Sequence, residues 1–93
     1  MRSVTLSKAL KIGTFTKSFQ TEDGFKLVVA MNSLGIHSIP QRVDEDGFDV
    51  RIYDPQKHYV GRAPLSILNH FVRTKQSGVL LMSNGNRIQV QFN

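Results

Sequence analysis

Ninety-three residues, 40% of them apolar, are enough for one small domain that buries about 60% of its unfolded surface, and too few for two. With no cysteine, disulfides, thiolate metal sites and a cysteine nucleophile are excluded, and no apolar run reaches the roughly 18 residues of a spanning helix. The net charge of +5 is divided as +4 over residues 1–21, −4 over 22–54 and +5 over 55–93, so all seven acids fall in the middle third. That polarity predicts a basic surface set apart from an acidic patch.

In chain order, Ser3–Leu6 reads as a short extended stretch and Ala9–Phe15 as a first strand, with Leu10, Ile12 and Phe15 alternating against Lys11 and Thr14. Thr21 then reads as a helix N-cap with Glu22 and Asp23 in the first turn, where the macrodipole favours acids. Phe25, Val28, Val29 and Asn32 follow at helical spacing, and Gly35 is the expected stop. Ile36–Val43 is predicted as a strand interrupted by Pro40, and Asp44-Glu45-Asp46-Gly47 as a turn. Phe48–Tyr53 alternates, with Phe48, Val50 and Ile52 on one face and Asp49, Arg51 and Tyr53 on the other. Asp54-Pro55 breaks that strand, and Tyr59-Val60 is the extended part of the segment Gln56–Arg62.

Pro64 suits the first turn of a second helix, whose rows Leu65–Leu68–Val72 and Ile67–Phe71 form a wide apolar stripe. Gly78 is expected to end it. Val79–Ser83 and Asn86–Phe92 read as a hairpin through a two-residue Asn84-Gly85 turn, with Ile88, Val90 and Phe92 inward. The predicted fold is α+β, a single domain over 1–93 in the order β-α-β-β-α-β-β, with two helices on one face of an antiparallel or mixed sheet. Val28, Val50, Ile52, Leu68, Val72, Ile88 and Val90 are expected to share its core. The stretches 25–53 and 65–92, 29 and 28 residues long, have the same predicted grammar and form a candidate architectural repeat.

For chemistry, Asp44–Gly47 does not fit a calcium loop, because Phe48 would take its fifth position and Pro55 its twelfth. His37, His58 and His70 lack metal-ligand spacing. There is neither a Gly-x-Ser-x-Gly elbow nor a phosphate-binding loop, so the expectation is a protein that is not an enzyme and needs no cofactor or metal. The outward faces of the hairpins carry more information. Arg51, Tyr53, Lys57, Tyr59 and Arg62 follow one another closely, and Arg87 and Gln89 project from the last strand. Arg and Lys grip phosphates, Arg and Gln read base edges, and Tyr stacks on unpaired bases. These residues are the candidate nucleic-acid-binding set, with Arg51, Lys57, Arg62 and Arg87 expected near one basic surface.

The fragments Leu65-Ser66-Ile67-Leu68 and Asn84-Gly85-Asn86 are similar to a unit of the double-wing DNA-binding domain of the T-even phage middle-promoter transcription activator. That family repeats a helix followed by a hairpin twice. The resemblance implies a small phage regulator of the host cytoplasm that binds DNA; Asp44–Gly47 replaces the wing turn in the first unit. A second likeness is to ferredoxin-like βαββαβ modules, many of them protein-interaction domains. The expected function is therefore a small basic nucleic-acid-binding regulator, for DNA or RNA, acting in the cytoplasm without membrane contact. The alternative is a protein-binding inhibitor or adaptor that docks through the acidic turn and an exposed strand edge.

Overall fold

Apolar residues at every second position put more of this chain into strands than into helices. The computed structural model describes residues 2–14, 17–37 and 44–93. The elements are β1 (Arg2–Leu6), β2 (Ser18–Gln20), β3 (Lys26–Met31), α1 (Ser33–His37), β4 (Phe48–Tyr53), β5 (Tyr59–Pro64), α2 (Leu65–Thr74), β6 (Gly78–Leu81) and β7 (Arg87–Phe92). A single 3-10 turn, Glu45–Gly47, precedes β4. The class is α+β. From β3 onward the order is the predicted β-α-β-β-α-β-β, with two further strands ahead of it.

The described strands form two sheets rather than one. The first is mixed, in the order β1-β7-β6, with β1 parallel and β6 antiparallel to the central β7. The second is antiparallel, in the order β2-β3-β4-β5. Val4 and Leu6, Leu27 and Val29, Val50 and Ile52, and Ile88 and Val90 turn inward from their strands and join Leu65, Leu68 and Val72 of α2 in one core. Each such side chain, fully buried, is worth about 1.5–3 kcal/mol.

Three hairpins use the same turn. Gly24, Lys57 and Gly85 each donate a backbone N–H to the carbonyl three residues back, on Thr21, Asp54 and Met82. Thr21, Asp54 and Met82 in turn donate to the carbonyls of Phe25, His58 and Asn86. The fourth position takes a positive φ in every case, +92° at Gly24, +70° at Lys57 and +88° at Gly85. This is a three-residue loop, a type I turn closed by a left-handed residue, and not the two-residue Asn-Gly turn predicted. Asn84 keeps a negative φ and uses its side chain to accept from the Asn86 N–H.

Several sequence expectations are corrected. The helix expected from Thr21 to Gly35 is the β2–β3 turn, strand β3 and the single helical turn α1. Thr21 caps no helix; its hydroxyl accepts from the Phe25 N–H inside the hairpin turn. Val28 consequently points away from the core while Leu27 and Val29 enter it. Residues 9–14 form no strand, although Leu10 and Ile12 pack against the core; Phe15 lies outside the described residues. Ile36 and His37 complete α1, and the rest of the strand predicted over Ile36–Val43 lies outside the described residues. Among the described residues only α2 has its apolar side buried in the core as a helix; Leu34 and Ile36 of α1 are exposed. It ends at Thr74, with Lys75 rather than a glycine in the left-handed cap at φ 57°. Gly78 instead opens β6, where a Cβ would come within 2.5 Å of the Phe71 ring. The two stretches of the candidate repeat differ in order: 25–53 begins with a strand and 65–92 with a helix.

Leu68 is fully buried, so Leu68→Ala should cost about 2–5 kcal/mol in denaturant melts. Nothing stands within 4 Å of a Cβ built on Gly85. Gly85→Val should therefore lose only the backbone term, about 1–3 kcal/mol in the same melts.

Candidate nucleic-acid interface

The face of the second sheet that turns away from the core is a grid set by strand register. One row runs Gln20–Lys26–Tyr53–Tyr59 across β2, β3, β4 and β5, and the next runs Ser18–Val28–Arg51–Arg62. A third row, on three strands, is Ala30–Asp49–Pro64. Arg51 and Arg62 are thus direct cross-strand neighbours, as are Tyr53 and Tyr59, whose rings lie 5.5 Å apart at an interplanar angle of 57°.

A bulge makes this arrangement possible. Tyr59 and Arg62 are three residues apart and would point to opposite faces of a regular strand. The register slips between Ile52 and Tyr53: Ile52 pairs with Gly61 but Tyr53 pairs with Tyr59, leaving Val60 as the extra residue. Val60 and Gly61 are both buried, and Tyr59 and Arg62 both emerge on the outer side. Re-aiming a side chain in this way is a usual consequence of a bulge.

Concavities open on the face. One, of ≈ 580 Å³, is lined by Gln20, Lys26, Val28, Tyr53 and Lys57, among others. Another, of ≈ 560 Å³, is lined by Arg51 and Arg62 together with Met31, Leu34 and Ile36. Asp49 lies between Asn32, which donates to it at 3.1 Å, and Arg62 at 4.0 Å. Arg51, Lys26 and Lys57 have no ion-pair partner among the described residues.

Of the seven predicted residues, Arg51, Tyr53, Lys57, Tyr59 and Arg62 come together on this face. Arg87 and Gln89 do not. They project from β7 in the other sheet, beside Leu81 and Val79, so the expected single basic surface does not include Arg87. Lys26 is absent from the predicted set because the helical spacing over 21–35 hides it. The alternation Lys26-Leu27-Val28-Val29, with two adjacent β-branched residues, is the strand signal that places Lys26 beside Tyr53.

The acids, meanwhile, are occupied. Asp44 accepts from the Asp46 N–H and caps the 3-10 turn, and Glu45 holds Asn69 at 3.0 Å and Arg73 at 3.3 Å on α2. Asp23 accepts from the Thr5 N–H and Glu22 from Asn93. Asp54, almost fully buried, accepts from the His58 N–H at 2.8 Å and from Arg2 at 3.1 Å. Six of the seven carboxylates thus accept hydrogen bonds within the chain. Among the described residues no three His, Asp or Glu side chains converge as a metal site requires, and no helix is long and apolar enough to cross a membrane. Comparison with family models, with curated proteins and with solved structures finds no match to this chain.

The His58 backbone N–H holds the Asp54 carboxyl below the ordinary aspartate range; burial opposes this, and the charges of His58 and Arg2 assist it. A lowered folded-state pKa stabilises the fold above the unfolded value of about 3.9 and loses that contribution as pH falls through the folded value. The Tm should therefore fall on acidification below about pH 4. Asp54→Asn should melt below the parent at neutral pH, with the gap narrowing in acid. A constant gap across the titration would assign the stability elsewhere.

Proposed function

We propose that this protein is a non-enzymatic module that binds single-stranded nucleic acid on the outer face of the four-stranded sheet. Lys26, Arg51, Lys57 and Arg62 engage phosphates, and Tyr53 and Tyr59 offer stacking surfaces to bases. The observation that carries the reading is the side-by-side placement of the Arg51–Arg62 and Tyr53–Tyr59 cross-strand pairs. Like charges directly opposite each other destabilise a sheet. Two guanidiniums in that relation, with Asp49 near only one of them, suit an external anion better than the isolated fold. A positive groove beside aromatic rings is the combination by which single strands are held without regard to sequence.

Lys57 supports the same reading. It occupies a left-handed turn position that glycine fills in the other two hairpins, at a conformational cost of about 1–2 kcal/mol. An ammonium at the groove rim is a reason to bear that cost.

Fluorescence anisotropy with labelled oligo-dT, oligo-U and a mixed duplex at several salt concentrations tests the proposal. Single strands should bind more tightly than duplex, with affinity falling as salt rises. Arg51→Ala and Arg62→Ala should each reduce the log–log salt slope by about 0.7. Tyr59→Ala should cost about 1–3 kcal/mol of binding, and Arg87→Ala should change little. No affinity at low salt, or full affinity in the Arg51→Ala/Arg62→Ala double variant, would transfer the assignment to a protein-binding role. Lys57→Gly should separate the two demands on that residue, weakening binding while holding stability or raising it by up to about 1 kcal/mol.

A further inference from the structure

An exposed sheet edge presents unpaired backbone N–H and C=O groups, and natural proteins usually blunt it. Among the described residues, three of the four sheet edges are blunted. At β1, the Thr5 N–H is taken by the Asp23 carboxylate at 2.8 Å. At β5, the Arg62 carbonyl accepts from the Ser83 N–H, and the Val60 carbonyl accepts from the side chains of Asn84 and Asn86. β2 is only three residues long. Over Gly78–Leu81 β6 has none of these protections; the Ser83 N–H that donates to β5 lies two residues beyond its end. Its sequence is Gly78-Val79-Leu80-Leu81, without charge, proline or bulge.

The register shows which groups β6 presents. The Met82 N–H bonds to the Asn86 carbonyl, so Met82 belongs to a hydrogen-bonded pair. In an antiparallel ladder such pairs alternate with non-bonded ones. Leu80 and Gly78 therefore bond to β7, while the N–H and C=O groups of Val79 and Leu81 point away from it. Among the described residues nothing hydrogen-bonds to them there. The side chains of the same two residues are exposed, Val79 by 46% and Leu81 by 60%.

We infer that β6 is a self-association edge, on which a second copy of this chain pairs its own β6 antiparallel about a two-fold axis at Leu80. The segment is self-complementary in that arrangement. Val79 of one copy faces Leu81 of the other, twice, so both outward N–H groups and both outward carbonyls of each copy find partners. Apolar side chains meet apolar side chains on the outer surface. The two mixed sheets become one continuous sheet of six strands. On the inner side, Ile67, exposed by 48%, and Phe71, which packs against Gly78, form a row on α2 that flanks the edge. Asn69 and Arg73, which hold Glu45, lie on the other flank of that helix. The second copy would thus cover the apolar row that the fold itself leaves half-open.

Sedimentation velocity of the full chain, from low micromolar to several hundred micromolar, tests this. The expected result is a monomer–dimer equilibrium that strengthens with salt, because both copies are cationic. The proposed nucleic-acid binding weakens with salt, so the two readings can fail separately. Leu81→Lys and Val79→Lys should each raise the dimer dissociation constant by about tenfold or more, with the far-UV spectrum unchanged. Amide hydrogen exchange of the parent supplies a readout that needs no variant. Val79 and Leu81 should gain protection with concentration, while Leu80, already bonded to β7, should not. A monomer throughout the range, a dimer indifferent to both substitutions, or concentration-dependent protection confined to other residues would overturn the inference.

Discussion

The two sheets are held together where the β6–β7 turn locks onto the outer edge of β5. Asn84 and Asn86 donate to the Val60 carbonyl, and the Ser83 N–H donates to the Arg62 carbonyl. The contact is close enough to demand glycine opposite it: a Cβ on Gly61 would come within 2.7 Å of the Met82 sulfur. This clamp secures the bulged strand whose irregularity brings Tyr59 and Arg62 to the same surface. The candidate interface therefore depends on a turn that belongs to the other sheet.

The distribution of charge follows from the same pattern of hydrogen bonds. Carboxylates accept at sites where the backbone or α2 needs a partner, so most of the acidity of the middle third is engaged inside the molecule. Lysines and arginines have fewer internal claims on them. Only Arg2, Arg62 and Arg73 among the described lysines and arginines form ion pairs. A modest formal charge thus becomes a surface on which unpaired cations outnumber unpaired anions, and such a surface attracts polyanions.

The strands with strict alternation were legible from sequence. Phe48–Tyr53 and Arg87–Phe92 need only a period of two, and α2 needs only its Leu65–Leu68–Val72 row. The segment 21–35 was not legible, because Phe25, Val28, Val29 and Asn32 fit a helical spacing by coincidence. Tertiary context decides between the two periods there: β4 supplies a full ladder to β3, and Leu27 and Val29 reach the core only from a strand. The bulge at Val60 was equally hidden. Tyr59-Val60-Gly61-Arg62 does not say where the register slips; Gly61 signals only a close backbone approach, which the clamp supplies. The composition of the site could be read from the sequence, whereas its grouping could not, since Lys26 joins and Arg87 leaves only once the strand order is known.

The parallel pairing of β1 with β7 has a consequence for how the chain acquires its shape. Arg2 pairs with Ile88 and Leu6 with Phe92, so each rung of this ladder joins residues 86 positions apart. Contacts of such high sequence separation are slow to form, because a long loop must close before any rung can be made. β7 is also the central strand of its sheet, so β1 has no partner in the native sheet until β7 has left the ribosome. The four-stranded meander and α2 can assemble during synthesis, while Val4 and Leu6 wait for the last strand. The three-stranded half should therefore be the late-folding unit.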